Sequence, residues 1–244
     1  MIYLKEFSTE SDYLTYRDDK SKYQKPNVSI SDDNGSVYYN YPPKPKANGH
    51  EYVDLGLPNG TLWATCNVGA SKPSDVGLYF QWGDTSGYTA DQIGKDKQFN
   101  WNNYKFSIDG SSSNFSKYNK TDNKNVLDLE DDAAHVNMGG DWHMPTPDQI
   151  RELINNTTSK WVTQDGVNGR LFTSKNGKSI FIPAAGYAWD GSLSSSGSGA
   201  DVWSSMLGAD YVSRGQDLYF SSGNAYLNYS NSRCGGFSVR GVLG

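Results

Sequence analysis

Beyond Gly169 the chain is a succession of short alternating segments broken by turn residues: "GRLFTS", "SIFIPAAGYAW", "DVWSSM", "DLYFSS", "AYLNYS" and "GFSVRGV". None carries a helical period, so strands and turns are the only building material this stretch offers. Upstream, two windows read as helix. "EDDAAHVNMGG" supplies Asp131 or Asp132 as N-cap and Gly139 as a stop. "TPDQIRELINN" has Thr146 as N-cap, Pro147 at the first helical position and Gln149 closing a capping box, with Ile150, Leu153 and Ile154 on one face. "YVDLGLPNGTLWA" reads as a hairpin turning at Pro58-Asn59-Gly60. The expected fold class is therefore α+β, with few short helices, twisted antiparallel sheets and long loops. The longest loop, 84–125, is polar and glycine-rich with isolated aromatic anchors.

The chain divides into a small N-terminal α/β module, residues 1–41, a proline-rich spacer, "PPKPKANG" at 42–49, and a main domain at 50–244. In the first module "IYLK" is strand-like, Ser8 or Thr9 caps a short helix, and Asn34-Gly35 marks a tight hairpin. A net charge of -5 and a pI near 5.2 exclude nucleic acid as the expected partner, because neutralising phosphates takes a basic surface. No apolar run reaches the length of a membrane span, so no membrane insertion is expected. Charges in "MIYLKEFSTESDYL" interrupt what a signal peptide would keep apolar, which points to synthesis in the cytoplasm without export.

Catalytic chemistry finds little support. Cys66 and Cys234 lie far apart with no metal or redox spacing, and Cys66 is expected to be free and buried. His50, His135 and His143 form no ligand set. "DLEDD" at 128–132 lacks the regular oxygen spacing of a calcium loop and reads as a charged helix cap. No cofactor, metal or catalytic residue is expected.

The tail points to binding. No Lys or Glu follows Lys178, and more than half of residues 191–236 are Ser, Gly, Tyr or Asn. Binding loops use this palette, with Tyr for rigid contact area and the small residues for adaptable hydrogen bonds. In the hairpin at 218–240, Leu218, Phe220, Ala225 and Leu227 alternate with Tyr219, Ser221, Tyr226 and Asn228, so the second set is the candidate ligand face. "GADYVSRG" adds Asp210, Tyr211 and Arg214. Asp201, Ser230, Ser232 and Cys234 are expected nearby on loops. A plain solvated hairpin face and a fixed sugar-binding face remain open beside this reading.

The blocks "YVDLGLPNGTLWATCNVGA", "GLYFQWGDT", "DDAAHVNMGGDWHMPTPDQIRELI", "SIFIPAAGY", "VWSSM" and "GGFSVRGV", in order over about 50–244, resemble the Fibrobacter succinogenes major paralogous domain family. The resemblance implies a C-type-lectin-like fold of the formylglycine-generating-enzyme type, with the strand at "YVDLGL" close to "FSVRGV". It also implies that Trp63, Trp82, Trp142, Phe181, Trp203, Phe220, Phe237 and Val239 are buried. "WHMPTPDQIREL" is similar to that superfamily's Arg-Leu-Pro-Thr helix opening, with Met144 and His143 as departures. The paired cysteines of the enzymes in that group are not matched here.

Within the group, the chain resembles the variable proteins of diversity-generating retroelements from gut bacteria and their phages, whose "WSS…GFSVR" segment is rewritten at Asn codons. Such codons cannot become Lys or Glu, in line with the tail. By the same resemblance Cys234 and Gly235 sit where the family varies, while Trp203, Met206, Gln216, Phe220, Phe237 and Arg240 are scaffold. The implied function is non-enzymatic binding of a cell-surface protein or glycan, with a virion or tail-fibre partner engaged through the N-terminal module. The alternative is a fixed carbohydrate-binding domain or surface adhesin of a gut bacterium whose leader has been removed.

Overall fold

The structure is a computed structural model that describes residues 44–208 and 211–244 in full and the backbone of 27–30 and 37–40. The chain separates into two units, Met1–Pro45 and Lys46–Gly244. In the first, β1 (Asn27–Ile30) and β2 (Val37–Asn40) pair antiparallel, with Ile30 opposite Val37. The expected "IYLK" strand, the helix capped at Ser8 or Thr9 and the Asn34-Gly35 turn lie outside the described residues.

The second unit begins earlier than the spacer reading placed it. β3 (Lys46–Ala47) pairs with β4 (His50–Asp54), so Lys46–Gly49 are hairpin and not spacer. Asn48 and Gly49, at φ 46° and 85°, adopt the two left-handed conformations that a two-residue hairpin turn needs. β5 (Leu62–Ala64) returns from the Pro58-Asn59-Gly60 turn and sets Trp63 opposite Val53. After β6 (Tyr79–Phe80), residues 84–125 run as loop, with short 3₁₀ turns at Ala90–Gln92 and Trp101–Asn103. Their aromatic anchors Phe99, Tyr104, Phe106, Phe115 and Tyr118 are all buried.

Both helices begin as their capping residues dictate, and the first also ends on one. Asp132 caps α1 (Ala133–Met138) by accepting from the His135 N–H at 2.9 Å, and Gly139 at φ 70° ends it. α2 (Pro147–Asn156) carries the full capping box between Thr146 and Gln149 and buries Ile150 and Leu153. No Gly or Pro separates α2 from β7 (Thr157–Gln164), so the helix-to-strand switch has no sequence punctuation. Its β-branched residues then favour the strand. An Asp165-Gly166 turn leads into β8 (Val167–Ser174), and β9 (Ser179–Pro183) completes a three-stranded sheet. β10 (Tyr187–Trp189) and β11 (Ser192–Ser194) form a separate ribbon.

The remaining strands are β12 (Gly199–Leu207), β13 (Arg214–Ser221), β14 (Ala225–Ser232), β15 (Phe237–Ser238) and β16 (Val242–Leu243). They build a five-stranded sheet, β14-β13-β12-β15-β6, and close a four-stranded one, β16-β5-β4-β3. Val242 lies opposite Trp63, so the unit's first and last strands share one sheet through β5. The pairings between named strands are antiparallel except β12 with β15, where Val202 aligns with Ser238 in parallel. That departs from the all-antiparallel expectation. Trp63, Trp82, Trp142, Phe181, Trp203, Phe220, Phe237 and Val239 are all buried. Among the described residues the unit is sheet-rich with two short α-helices, and no helix is long and apolar enough to cross a membrane.

Candidate functional site

The site rises from the β12–β13–β14 meander. The Ser221 N–H donates to the Asn224 carbonyl at 3.0 Å, closing the turn at Ser222-Gly223-Asn224. The register then sets Tyr219 opposite Tyr226 and Leu218 opposite Leu227. Leu218, Phe220 and Leu227 are buried on the core side, which fixes the register, because a one-residue slip would expose them. On the other side the Tyr219 and Tyr226 rings lie 5.1 Å apart, tilted by 45°. Asp201 of β12 is cross-strand to Tyr219, and Asp217 stands between Asn228 and Trp203. Asp201 and Tyr219 are therefore next to one another on the same face as Asp217 and Asn228.

A bulge shapes the floor. Between Asp217 and Gly215 the register with β14 slips, so Asn228 and Asn231 both pair across to this pair of positions. The Asn231 amide then donates to Asp201 Oδ1 and to Asp217 Oδ1, each at 3.0 Å. Asp217 Oδ2 receives no hydrogen bond from an amide or hydroxyl. Burial pushes the Asp201 carboxyl up to about 6. Burial, followed by the charge of Asp201, holds Asp217 well above the usual carboxylate range. Two acids side by side in little water share a proton, since both cannot ionise at low cost.

Above this floor is a depression of about 460 Å³. It is lined by Tyr219, Tyr226 and Asn228 of the hairpin, by Tyr187 and Trp189 of β10, and by Asp201, Asn231, Ser232 and Phe237. Phe237 stacks on Trp203 at 4.0 Å, and the Trp203 indole N–H donates to the Phe80 carbonyl at 2.8 Å, so the floor is pinned to β6.

The expected site residues divide. Tyr219, Tyr226, Asn228 and Ser232 are brought together. Asp201 joins them as a buried residue of β12, where a loop position was expected. Ser221 ends β13 at the turn, and Ser230 is exposed within the bulged stretch of β14. Tyr211, 65% exposed, lies on the loop between β12 and β13 and does not line the depression. Arg214 donates to Ser232 Oγ at 2.9 Å. Asp210 lies outside the described residues.

Cys234 and Gly235 must be removed from the ligand face. Cys234 is fully buried in the core cluster around Trp82 and Phe237, and a side chain at Gly235 would press on the Phe237 ring at 3.1 Å. Cys66 is only half-buried, the reverse of the expected order of the two cysteines, and both are free.

Asp217, Asn231, Tyr187 and Trp189 were missed. Asp217 follows the same alternation as Tyr219 and was legible; Asn231 depends on the bulge, and the β10 aromatics on tertiary packing. Arg240 is fully buried and donates to Asn67 Oδ1, Ala64 O and Phe181 O.

The acidic segment before α1 is neutralised internally. Lys117 Nζ lies 2.7 Å from Asp128, 2.8 Å from Glu130 and 2.5 Å from Asp131, and Lys105 reaches Asp131 at 2.7 Å. His143 and His135 bond backbone carbonyls of Met144 and Trp142. No family model, curated protein or solved structure matches the chain.

Proposed function

We propose that the second unit is a non-enzymatic ligand-binding domain of C-type-lectin-like architecture, with the aromatic face of β12–β14 as its binding surface. The observation that carries this reading is the Tyr219–Tyr226 pair, two rings held across a hairpin whose reverse side is core. Aromatic area displayed on a support that cannot collapse is what a binding hot spot requires. The sharing of one sheet by the first and last strands supports the lectin-like reading. Tyr211, Tyr226 and Ser230 are exposed and open to rewriting, whereas Cys234, which the resemblance placed among the varying positions, lies in the core and does not count toward the reading. In this reading the chain is a variable protein of a phage-encoded diversity-generating retroelement, and its target is a protein or glycan on a cell surface.

A fixed saccharide site is the second reading, favoured by aromatic rings beside Asp201 and Asn228 in one concavity. Catalysis is disfavoured on a physical ground: although proton-sharing carboxyls can serve acid–base chemistry, the inner one, Asp217, is 0% exposed and cannot reach a substrate.

The test replaces Tyr211, Tyr219 and Tyr226 together with Ser. Binding to intact cells or to a glycan array should fall at least tenfold while the melting temperature drops by no more than about 4 °C. Unchanged binding places the site elsewhere. The genes beside this one test the retroelement reading, which needs a reverse transcriptase and a near-copy of the 3′ end.

A further inference from the structure

Among the described residues, the buried carboxyl pair beneath the tyrosines has no ion-pair partner. Asp201 is 5% and Asp217 0% exposed. Their surroundings act on them through burial, through each other and through the amides of Asn231 and Asn228, and no cation is among those groups. The Arg214 guanidinium at the edge is engaged with Ser232. Any negative charge on this pair is buried, and a buried charge with no opposite partner is costly unless something binds over it.

What stands over it is aromatic. Tyr219 and Tyr226 of the hairpin and Tyr187 and Trp189 of β10 line the same depression as Asp201. Aromatic rings facing a carboxylate attract cations, because the ring faces carry negative potential and the desolvated charge adds to it. The Asn231 amide hydrogens are already spent on the two acids. The floor therefore offers acceptors and negative charge beneath the tyrosine and tryptophan rings.

On the reading that this face is the binding surface, we propose that the depression accepts an alkylammonium group, with the Tyr219–Tyr226 pair and Trp189 enclosing the cation and Asp201 and Asp217 supplying its counter-charge. The group is either the side chain of a lysine on a protein partner or a trimethylammonium headgroup; the chemistry is common to both.

The experiment titrates the full chain with choline, with Nα-acetyl-lysine methylamide and with 3,3-dimethyl-1-butanol, the neutral isostere of choline, following tyrosine ring and indole resonances. At least one cationic probe should bind ten times or more tighter than the isostere, and which cation binds better identifies the source. The Asp201→Asn/Asp217→Asn double variant should lose that preference tenfold while remaining folded, since both changes preserve shape. Tyr226→Ser, at an exposed position, should weaken the cation without affecting the fold. Equal binding of choline and its isostere overturns the proposal, as does binding of methyl glycosides in place of either cation, or no binding at all. Cell binding by the tyrosine variants separates the two claims. If it falls while no cation binds, the surface stands and the cation inference fails; if it is untouched, the surface itself is wrong.

Discussion

The Nε of Arg233 donates to the hydroxyl of Tyr104 across 2.7 Å, joining the end of the ligand-face hairpin to the middle of the long 84–125 loop. The guanidinium is fully buried, 4.5 Å from the ring of Phe115 and 4.9 Å from that of Trp82, and it also donates to the carbonyls of Tyr118 and Val212. Tyr104 passes the bond on to the Trp82 carbonyl at 2.8 Å. A loop with almost no strand pairing is thereby tied down by one side chain from the tail. Arg233→Lys keeps the charge but not the planar fork, and leaves several carbonyls unpaired. It should cost about 3–5 kcal/mol, read by denaturant unfolding, and open 84–125 to limited proteolysis. A loss below about 1 kcal/mol would show that the loop is held by its aromatic anchors alone.

The Asp201–Asp217 pair makes stability depend on pH in a defined direction. Both carboxyls ionise less readily folded than unfolded, Asp201 near about 6 against about 3.9 in an unfolded chain, and Asp217 higher still. Folding therefore favours the protonated forms. Their contribution is complete below about pH 4 and is lost as pH rises through about 6 and beyond for Asp217. Asp217→Asn replaces the shared proton by a permanent amide donor. Relative to the parent it should gain about 1–3 kcal/mol between pH 4 and pH 8, measured by urea unfolding at the two ends of that range. A difference that does not change with pH would mean the two acids do not share a proton.

The elements that the sequence announces are those governed by short-range chemistry. Thr146, Pro147 and Gln149 start a helix through bonds within four residues, and Ser222-Gly223-Asn224 reverses the chain within its own turn. Tyr219 and Tyr226 follow, because the turn fixes which residues face each other. Legibility ends where a distant partner decides. The β14 bulge that swings Asn231 onto both acids breaks the period-two alternation. Tyr187 and Trp189 reach the depression from a separate ribbon. Cys234 follows a tail of small polar residues that reads as surface, yet the closing strands draw it into the core.

Gly236 tests how tightly that core closes over the loop. It exchanges both backbone hydrogen bonds with Ala188, and a Cβ there would come within 2.4 Å of the buried Phe99 ring. Phe99 already sits at φ 52°, an unusual conformation for a bulky residue, so it has little freedom to yield. Gly236→Ala should destabilise by about 1–3 kcal/mol through overpacking and loosen the β10 side of the depression. Thermal unfolding together with the fluorescence of Trp189 reads both effects. A neutral substitution would mean that the ring moves aside without cost.

The two cysteines give the most direct check on which tail residues face solvent. Burial pushes the Cys234 thiol up to about 12, and its side chain is fully enclosed beside Trp82 and Phe237. Cys66 is half-buried, and its Sγ lies 3.6 Å from the Thr65 hydroxyl. Alkylation requires a thiolate that the reagent can reach. Iodoacetamide at pH 8 should therefore modify Cys66 in the native protein and leave Cys234 intact, with both modified after denaturation, as resolved by peptide mass spectrometry. The same burial makes Cys234→Tyr a core insertion and not a change of binding surface. It should unfold the domain or lower its stability by about 1–3 kcal/mol or more, whereas Ser230→Tyr, at an exposed position of β14, should be tolerated within about 0.5 kcal/mol. Rapid native alkylation of Cys234, with Cys234→Tyr tolerated as well as Ser230→Tyr, would return that position to the ligand face and move the boundary of the binding surface toward β15.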